Sequence, residues 1–202
     1  MEIAANLVKT LRERTGLGLM DCKGALQEAA GSLEEAEKIL RKKGLASSAR
    51  RSERVAAEGS VASYIHIGGK IGVLVGVNSE TDFVARNSEF QQLVRDLAMQ
   101  IAASAPRVIS RGDVTPALLD EEREIYRAQA RATGKPAPVI EKIVDGKMEK
   151  FYEENCLLEQ PFVKDTTITV SDLIARQVAK MGENIVVRRF CRYVLGEWSQ
   201  GG

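Results

Sequence analysis

The chain has 202 residues, 44% of them hydrophobic, and 29 Lys and Arg against 28 Asp and Glu give a formal charge of +1. That length allows one ordinary domain with a smaller module and excludes a three-domain protein. The near balance of charge argues against a strongly basic nucleic-acid coat or an acidic disordered tail. Cys22, Cys156 and Cys191 are odd in number and widely spaced, so a disulfide framework and a structural zinc site are both disfavoured. A single histidine, His66, leaves no cluster for a metal or a Ser-His-Asp site. No apolar run approaches the ~18 residues that a membrane span needs. The N-terminus lacks the basic and apolar regions of a signal peptide. The expectation is a soluble cytoplasmic protein with reduced thiols.

In chain order, three short helices come first. Ile3, Leu7, Val8 and Leu11 recur at helical spacing, and Gly16 follows as a stop. Asp21 opens a second helix carrying Ala25, Leu26 and Ala29, ending at Gly31. Ser32 and Glu35 fit a capping box, and Ala36, Ile39 and Leu40 form the stripe of a third helix that stops at Gly44. Residues 1–45 therefore read as a small three-helix docking module, and 46–58 as an exposed, locally basic helical linker. From 59 onward the period changes. Val61, Ser63, Ile65 and Ile67 alternate with Ala62, Tyr64 and His66; Gly68 and Gly69 turn the chain, and Ile71, Val73, Val75 and Val77 alternate again. This predicts a β-hairpin. Ser88 and Gln91 fit a capping box for a helix burying Phe90, Leu93, Val94, Leu97, Ala98 and Ile101. Thr115-Pro116 starts a charged helix to about Ala132, and a second follows Pro138, so a projecting helical hairpin is expected near 116–155. A helix over 171–180 and a closing strand over 185–195 complete the chain. The fold class is α+β: a helical bundle, then a core (59–202) whose antiparallel sheet of about three strands packs against helices.

Nucleotide cradles fail on spacing. Gly68-Gly69-Lys70-Ile71-Gly72 does not fit GxxxxGK[ST] and sits in a hairpin turn. No carboxylate pair stands out from the helical charge pattern, so nothing supports an enzyme or a bound cofactor. A nucleic-acid reading through Arg50, Arg51 and Arg54, or through Arg188, Arg189 and Arg192, lacks interleaved aromatics apart from Phe190 and Tyr193.

Asn78-Ser79-Glu80-Thr81-Asp82-Phe83-Val84-Ala85-Arg86-Asn87 is harder to read as scaffold. Spacing alone leaves two readings. Either Phe83 tucks into the local core while Thr81 or Asp82 caps a helical turn, or Phe83 projects beside an acidic neighbour toward a partner's pocket.

Here the chain resembles the bacterial and organellar elongation factor Ts family. The matching blocks are Leu11-Arg12-Glu13-Arg14-Thr15-Gly16-Leu17-Gly18-Leu19-Met20-Asp21-Cys22-Lys23, Thr81-Asp82-Phe83-Val84-Ala85-Arg86-Asn87, Leu158 to Val163, and Gly182 to Phe190. They run in order along essentially the whole chain. The resemblance implies a guanine nucleotide exchange factor with no covalent chemistry. It would bind elongation factor Tu carrying GDP, dislocate Mg²⁺ and release GDP so that GTP can load. It implies a ubiquitin-associated-like bundle docking through Leu11, Arg12, Gly18, Leu19 and Met20. It places Thr81, Asp82, Phe83 and Val84 beside the partner's Mg²⁺ site, and favours the projecting reading of Phe83. Long members hold two related core subdomains; this chain has length for one, which implies a homodimer built on the core sheet. Cys191, on the last strand, is then either a reduced packed thiol or a contact across a two-fold axis. Leu17 and Leu19 depart from the Ala and Met common in the first block, and Ser79 stands where many members have Cys. No direct nucleic-acid or membrane contact is implied.

Overall fold

The structure is a computed structural model that describes residues 3–197. It is an α+β protein with a three-stranded antiparallel sheet, order β1 (Glu58–Ile65), β2 (Ile71–Ser79) and β5 (Val186–Val194), and a two-stranded one, β3 (Pro161–Phe162) with β4 (Asp165–Thr169). The chain forms two compact units. The first takes the residues up to Val61, with Gly76–Val94 and Asp172–Arg188; the second takes Ala62–Val75, Arg95–Ser171 and the residues from Arg189 on. The dividing points fall inside β1, β2, α5 (Ser88–Ser104), α8 (Val170–Met181) and β5.

In the first unit, α1 (Ala5–Thr15), α2 (Leu19–Glu28) and α3 (Leu33–Arg51) make the three-helix bundle. Its core is Val8, Leu11, Cys22, Ala25, Leu26, Ala36 and Leu40. Gly16 ends α1 in the left-handed region (φ 68°), its N–H donating to the Arg12 carbonyl, which is why a glycine stands there. Ser32 caps α3, its Oγ accepting from Glu35 N at 3.3 Å. Two boundaries differ from the sequence reading. α2 starts at Leu19 rather than Asp21, and α3 does not stop at Gly44 but runs on to Arg51. Gly44 is buried, and a Cβ there would lie 3.9 Å from the Ala175 carbonyl and from Ala179 Cβ on α8 (Val170–Met181). Packing against α8, with Arg41 forked onto Asp172 of that helix, offsets the cost of about 1 kcal/mol for a glycine inside a helix.

The hairpin strands form as expected. Gly59 has room only for a hydrogen, since a Cβ would sit 2.2 Å from the Val77 carbonyl. The predicted face of α5 is fully buried: Phe90, Leu93, Val94, Leu97, Ala98 and Ile101. Its start differs in detail. Asn87, not Ser88, supplies the cap, with Oδ1 accepting from Glu89 N at 2.8 Å.

In the second unit, α6 (Pro116–Arg131) and α7 (Ala137–Asn155) form the helical hairpin. Thr115 caps α6 with Pro116 in the first turn. Val114, Ala130, Ile140, Val144, Met148, Phe151 and Cys156 fill its core. Arg111 ties the hairpin base: it donates to both oxygens of Glu149 and both of Glu159, and its guanidinium lies 4.3 Å above the Tyr152 ring. These hydrogen bonds hold Glu149 below the usual carboxylate range. A lowered folded-state pKa stabilises the fold above that range, and the stabilisation is lost as pH falls through and below it. The sequence reading missed β3 (Pro161–Phe162) and β4 (Asp165–Thr169), which pair antiparallel. Among the described residues no helix is long and apolar enough to cross a membrane.

Candidate functional site

The segment after β2 is built from the backbone outward. Ser79 is fully buried, and its hydroxyl donates to the Thr81 carbonyl at 2.9 Å, folding the chain back at the strand end. Thr81 is extended (φ −126°, ψ 157°) and caps α4 (Asp82–Ala85), its Oγ1 accepting from Val84 N at 3.3 Å. One helical turn then separates the side chains by about 100° each. Val84 and Ala85 go under the turn and are buried, while Phe83 points out and is 80% exposed. The tucked alternative for Phe83 does not hold. Asp82 forms an exposed pair with Arg86 at 2.7 Å. Such an i,i+4 pair is worth about 0.3–0.5 kcal/mol, so a partner can open it at small cost.

The turn is also tied to a distant loop. Glu183 accepts from Thr81 N at 3.0 Å and from Thr81 Oγ1 at 2.7 Å. In return Glu80 accepts from Asn184 N at 2.6 Å. Asn184 is buried, and its side-chain amide donates to the carbonyls of Ser52 and Arg54, just past the end of α3. Arg51 donates to the Gly182 carbonyl at 3.0 Å. The sequence reading quoted Gly182 to Phe190 as a block but gave Glu183 and Asn184 no role. They lie about a hundred positions from Thr81, and no local spacing carries that signal.

The first block runs from the end of α1 through the connecting loop into α2. Thr15 Oγ1 donates to the Leu11 carbonyl at 2.8 Å and accepts from Leu17 N. Gly18 precedes α2, so Leu19 and Met20 stand in its first turn. Leu19 is 55% and Met20 74% exposed, and Arg12 and Gly18 are exposed as well. Leu11 differs: its side chain is wholly buried in the bundle, so it presents no surface and instead holds α1 under the loop.

Cys191 is a half-buried free thiol on β5, at one edge of the three-stranded sheet. Cys22 and Cys156 are buried and free. Burial, then the Glu159 charge, pushes the Cys156 thiol up to about 11, so it stays protonated at neutral pH. Among the described residues no group of His, Cys, Asp and Glu could hold a metal ion.

The family description "Elongation factor TS" matches residues 25–197. The chain is similar to elongation factor Ts of Koribacter versatilis (strain Ellin345), 61% identical over 98% of this chain and 90% of the relative. It is similar to elongation factor Ts of Moorella thermoacetica, 60% identical over 96% of each chain. It is also similar to that of Alkaliphilus oremlandii, 57% identical over 98% of this chain and 91% of the relative. The chain belongs to the elongation factor Ts family.

Proposed function

We propose that this protein is the guanine nucleotide exchange factor of elongation factor Tu, working in the cytoplasm and making no covalent bond. It binds the GDP form, dislodges Mg²⁺ and lets GDP leave, so that GTP loads. In this reading residues 1–45 are the ubiquitin-associated-like docking module, 46–58 the connection and 59–202 the core. Arg12, Gly18, Leu19 and Met20 grip the GTPase, with Leu11 shaping the surface from behind. Phe83 enters beside the nucleotide site, Asp82 disturbs the polar network around the metal, and Thr81 and Val84 hold the turn.

The magnitudes divide the labour. An exchange factor must bind the nucleotide-free partner better than the loaded one, and this coupling is reciprocal. Weakening GDP ten-thousandfold takes about 5.5 kcal/mol of differential contact. Burying one Phe side chain supplies roughly 1.5–3 kcal/mol. Phe83 therefore needs the other contacts of the chain. The observation that carries the reading is Phe83 held 80% exposed on a capped turn over buried Val84 and Ala85. The protein is expected to accelerate release of labelled GDP from elongation factor Tu, and Phe83→Ala to slow that release tenfold or more with the fold intact. Release by the variant at the wild-type rate would refute the role of Phe83.

The sheet supports a second copy as a further partner. On the second unit's part of the sheet, Ile65, Leu74, Tyr193 and Leu195 are exposed and line a shallow groove. β5 is an edge strand, with unpaired backbone groups that another strand could meet. Sedimentation should report a dimer with and without reductant, since Cys191 is taken here as reduced; a concentration-independent monomer would overturn it.

A further inference from the structure

We infer that Glu183 is a positioning residue for Phe83, acting through Thr81; the inference rests on the exchange reading above. Both carboxylate oxygens of Glu183 go to Thr81, one to its N–H and one to its hydroxyl. The chemistry of the hydroxyl makes the link directional. Thr81 Oγ1 has one proton. Donating it to Glu183 leaves the lone pairs for the Val84 N–H, which is the capping bond of α4. The acid therefore fixes both the rotamer and the sense of the cap. α4 has only four residues and cannot nucleate itself, because a first helical turn is unfavourable in isolation. Its orientation, and with it the direction of Phe83, is set by what holds Thr81 together with the burial of Val84 and Ala85.

The holder is itself held. Glu80 takes the Asn184 N–H while Glu183 takes the Thr81 N–H, so the two segments exchange acceptors. Asn184 and Gly182 are fastened to the carbonyls and guanidinium at the end of α3. Glu183 thus stands on a fixed base and presents the turn before any partner arrives. Preorganisation of this kind lowers the ordering cost at the moment of contact.

The test uses the full chain and follows release of labelled GDP from elongation factor Tu over a range of exchange-factor concentrations. Glu183→Ala is expected to lower the maximal rate about tenfold, the scale of a lost charge-assisted hydrogen bond. The half-saturating concentration should stay within about twofold, since docking lies elsewhere. Glu183→Gln keeps one of the two acceptors and should recover only part of the loss. Thr81→Val, which removes the hydroxyl at constant shape, should match Glu183→Ala. In a Phe83→Ala background, Glu183→Ala should add less than about twofold, because its effect passes through that ring. A folded Glu183→Ala protein at the wild-type maximal rate overturns the inference, as does a full tenfold loss in the Phe83→Ala background. If Glu183→Ala does not fold, Thr81→Val decides: a maximal rate at the wild-type value overturns the inference. Should Phe83→Ala alone leave release unchanged, the role proposed for Phe83 fails. Amide hydrogen exchange then judges the link by itself: Val84 N–H should exchange faster in Glu183→Ala, and unchanged protection refutes it.

Discussion

Two turns of the same unit expose apolar side chains, and they are held in different ways. The Gly16–Met20 loop is hydrogen-bonded from its own neighbourhood: Gly16 N to Arg12, Thr15 Oγ1 to Leu11, Cys22 N to Gly18. The Thr81–Arg86 turn is hydrogen-bonded to Glu183, 102 positions away, and lies over buried Val84 and Ala85. On the proposed function, a locally held loop adjusts its side chains to the partner's surface and supplies affinity. On that same reading, a turn fixed from a distance arrives already aimed and serves the step that follows docking. The contrast teaches that exposure alone does not define a role; what holds the exposed side chain does.

Three changes sharpen or break this contrast. The largest effect is expected from Leu11→Ala, which empties a wholly buried site in the bundle and should cost about 2–5 kcal/mol. Calorimetry should show a lower unfolding midpoint. Unchanged stability with weakened docking would mean that Leu11 reaches the partner after all. Next, Leu19→Ala combined with Met20→Ala should leave stability within about 0.5 kcal/mol, both being exposed. It should raise the half-saturating concentration in the exchange assay about tenfold, or about 1.4 kcal/mol, at constant maximal rate. A fall in maximal rate instead would erase the distinction between the two turns. The smallest effect belongs to Gly18→Ala. Its Cβ would come 3.0 Å from Asp21 Oδ2, the free end of a side chain that can turn aside. Exchange measured against concentration should change less than about twofold. A large loss would show the loop to be as rigid as the other turn.

Much of the architecture was legible because it is periodic. The α5 face, the strand alternation about Gly68-Gly69, and the caps Ser32 and Thr115 each follow from residues within one or two turns of each other. What escaped is long-range. α3 passes Gly44 because α8 packs against it, and tertiary packing overrides local propensity. Arg111 meets Glu149 and Glu159 from 38 and 48 positions away. β3 has two residues, too few for any period. The same limit divides the candidate site. Thr81, Asp82, Phe83, Val84, Leu19 and Met20 stood out as blocks, whereas Glu183 and Asn184 matter through bonds that only the folded chain reveals. Leu11 was grouped with the surface residues because a block of text does not distinguish a side chain facing out from one facing in.

The unbroken run of α3 through Gly44 makes it a strut instead of a leash. Nineteen residues at 1.5 Å each span about 28 Å with a single length. Once a partner grips one end, the other arrives at a fixed reach and phase, so its local concentration is set by geometry rather than by a wandering chain. Such a strut tolerates lengthening only in steps. One inserted residue would swing everything beyond it by about 100°, whereas four would nearly restore the bearing and add about 6 Å.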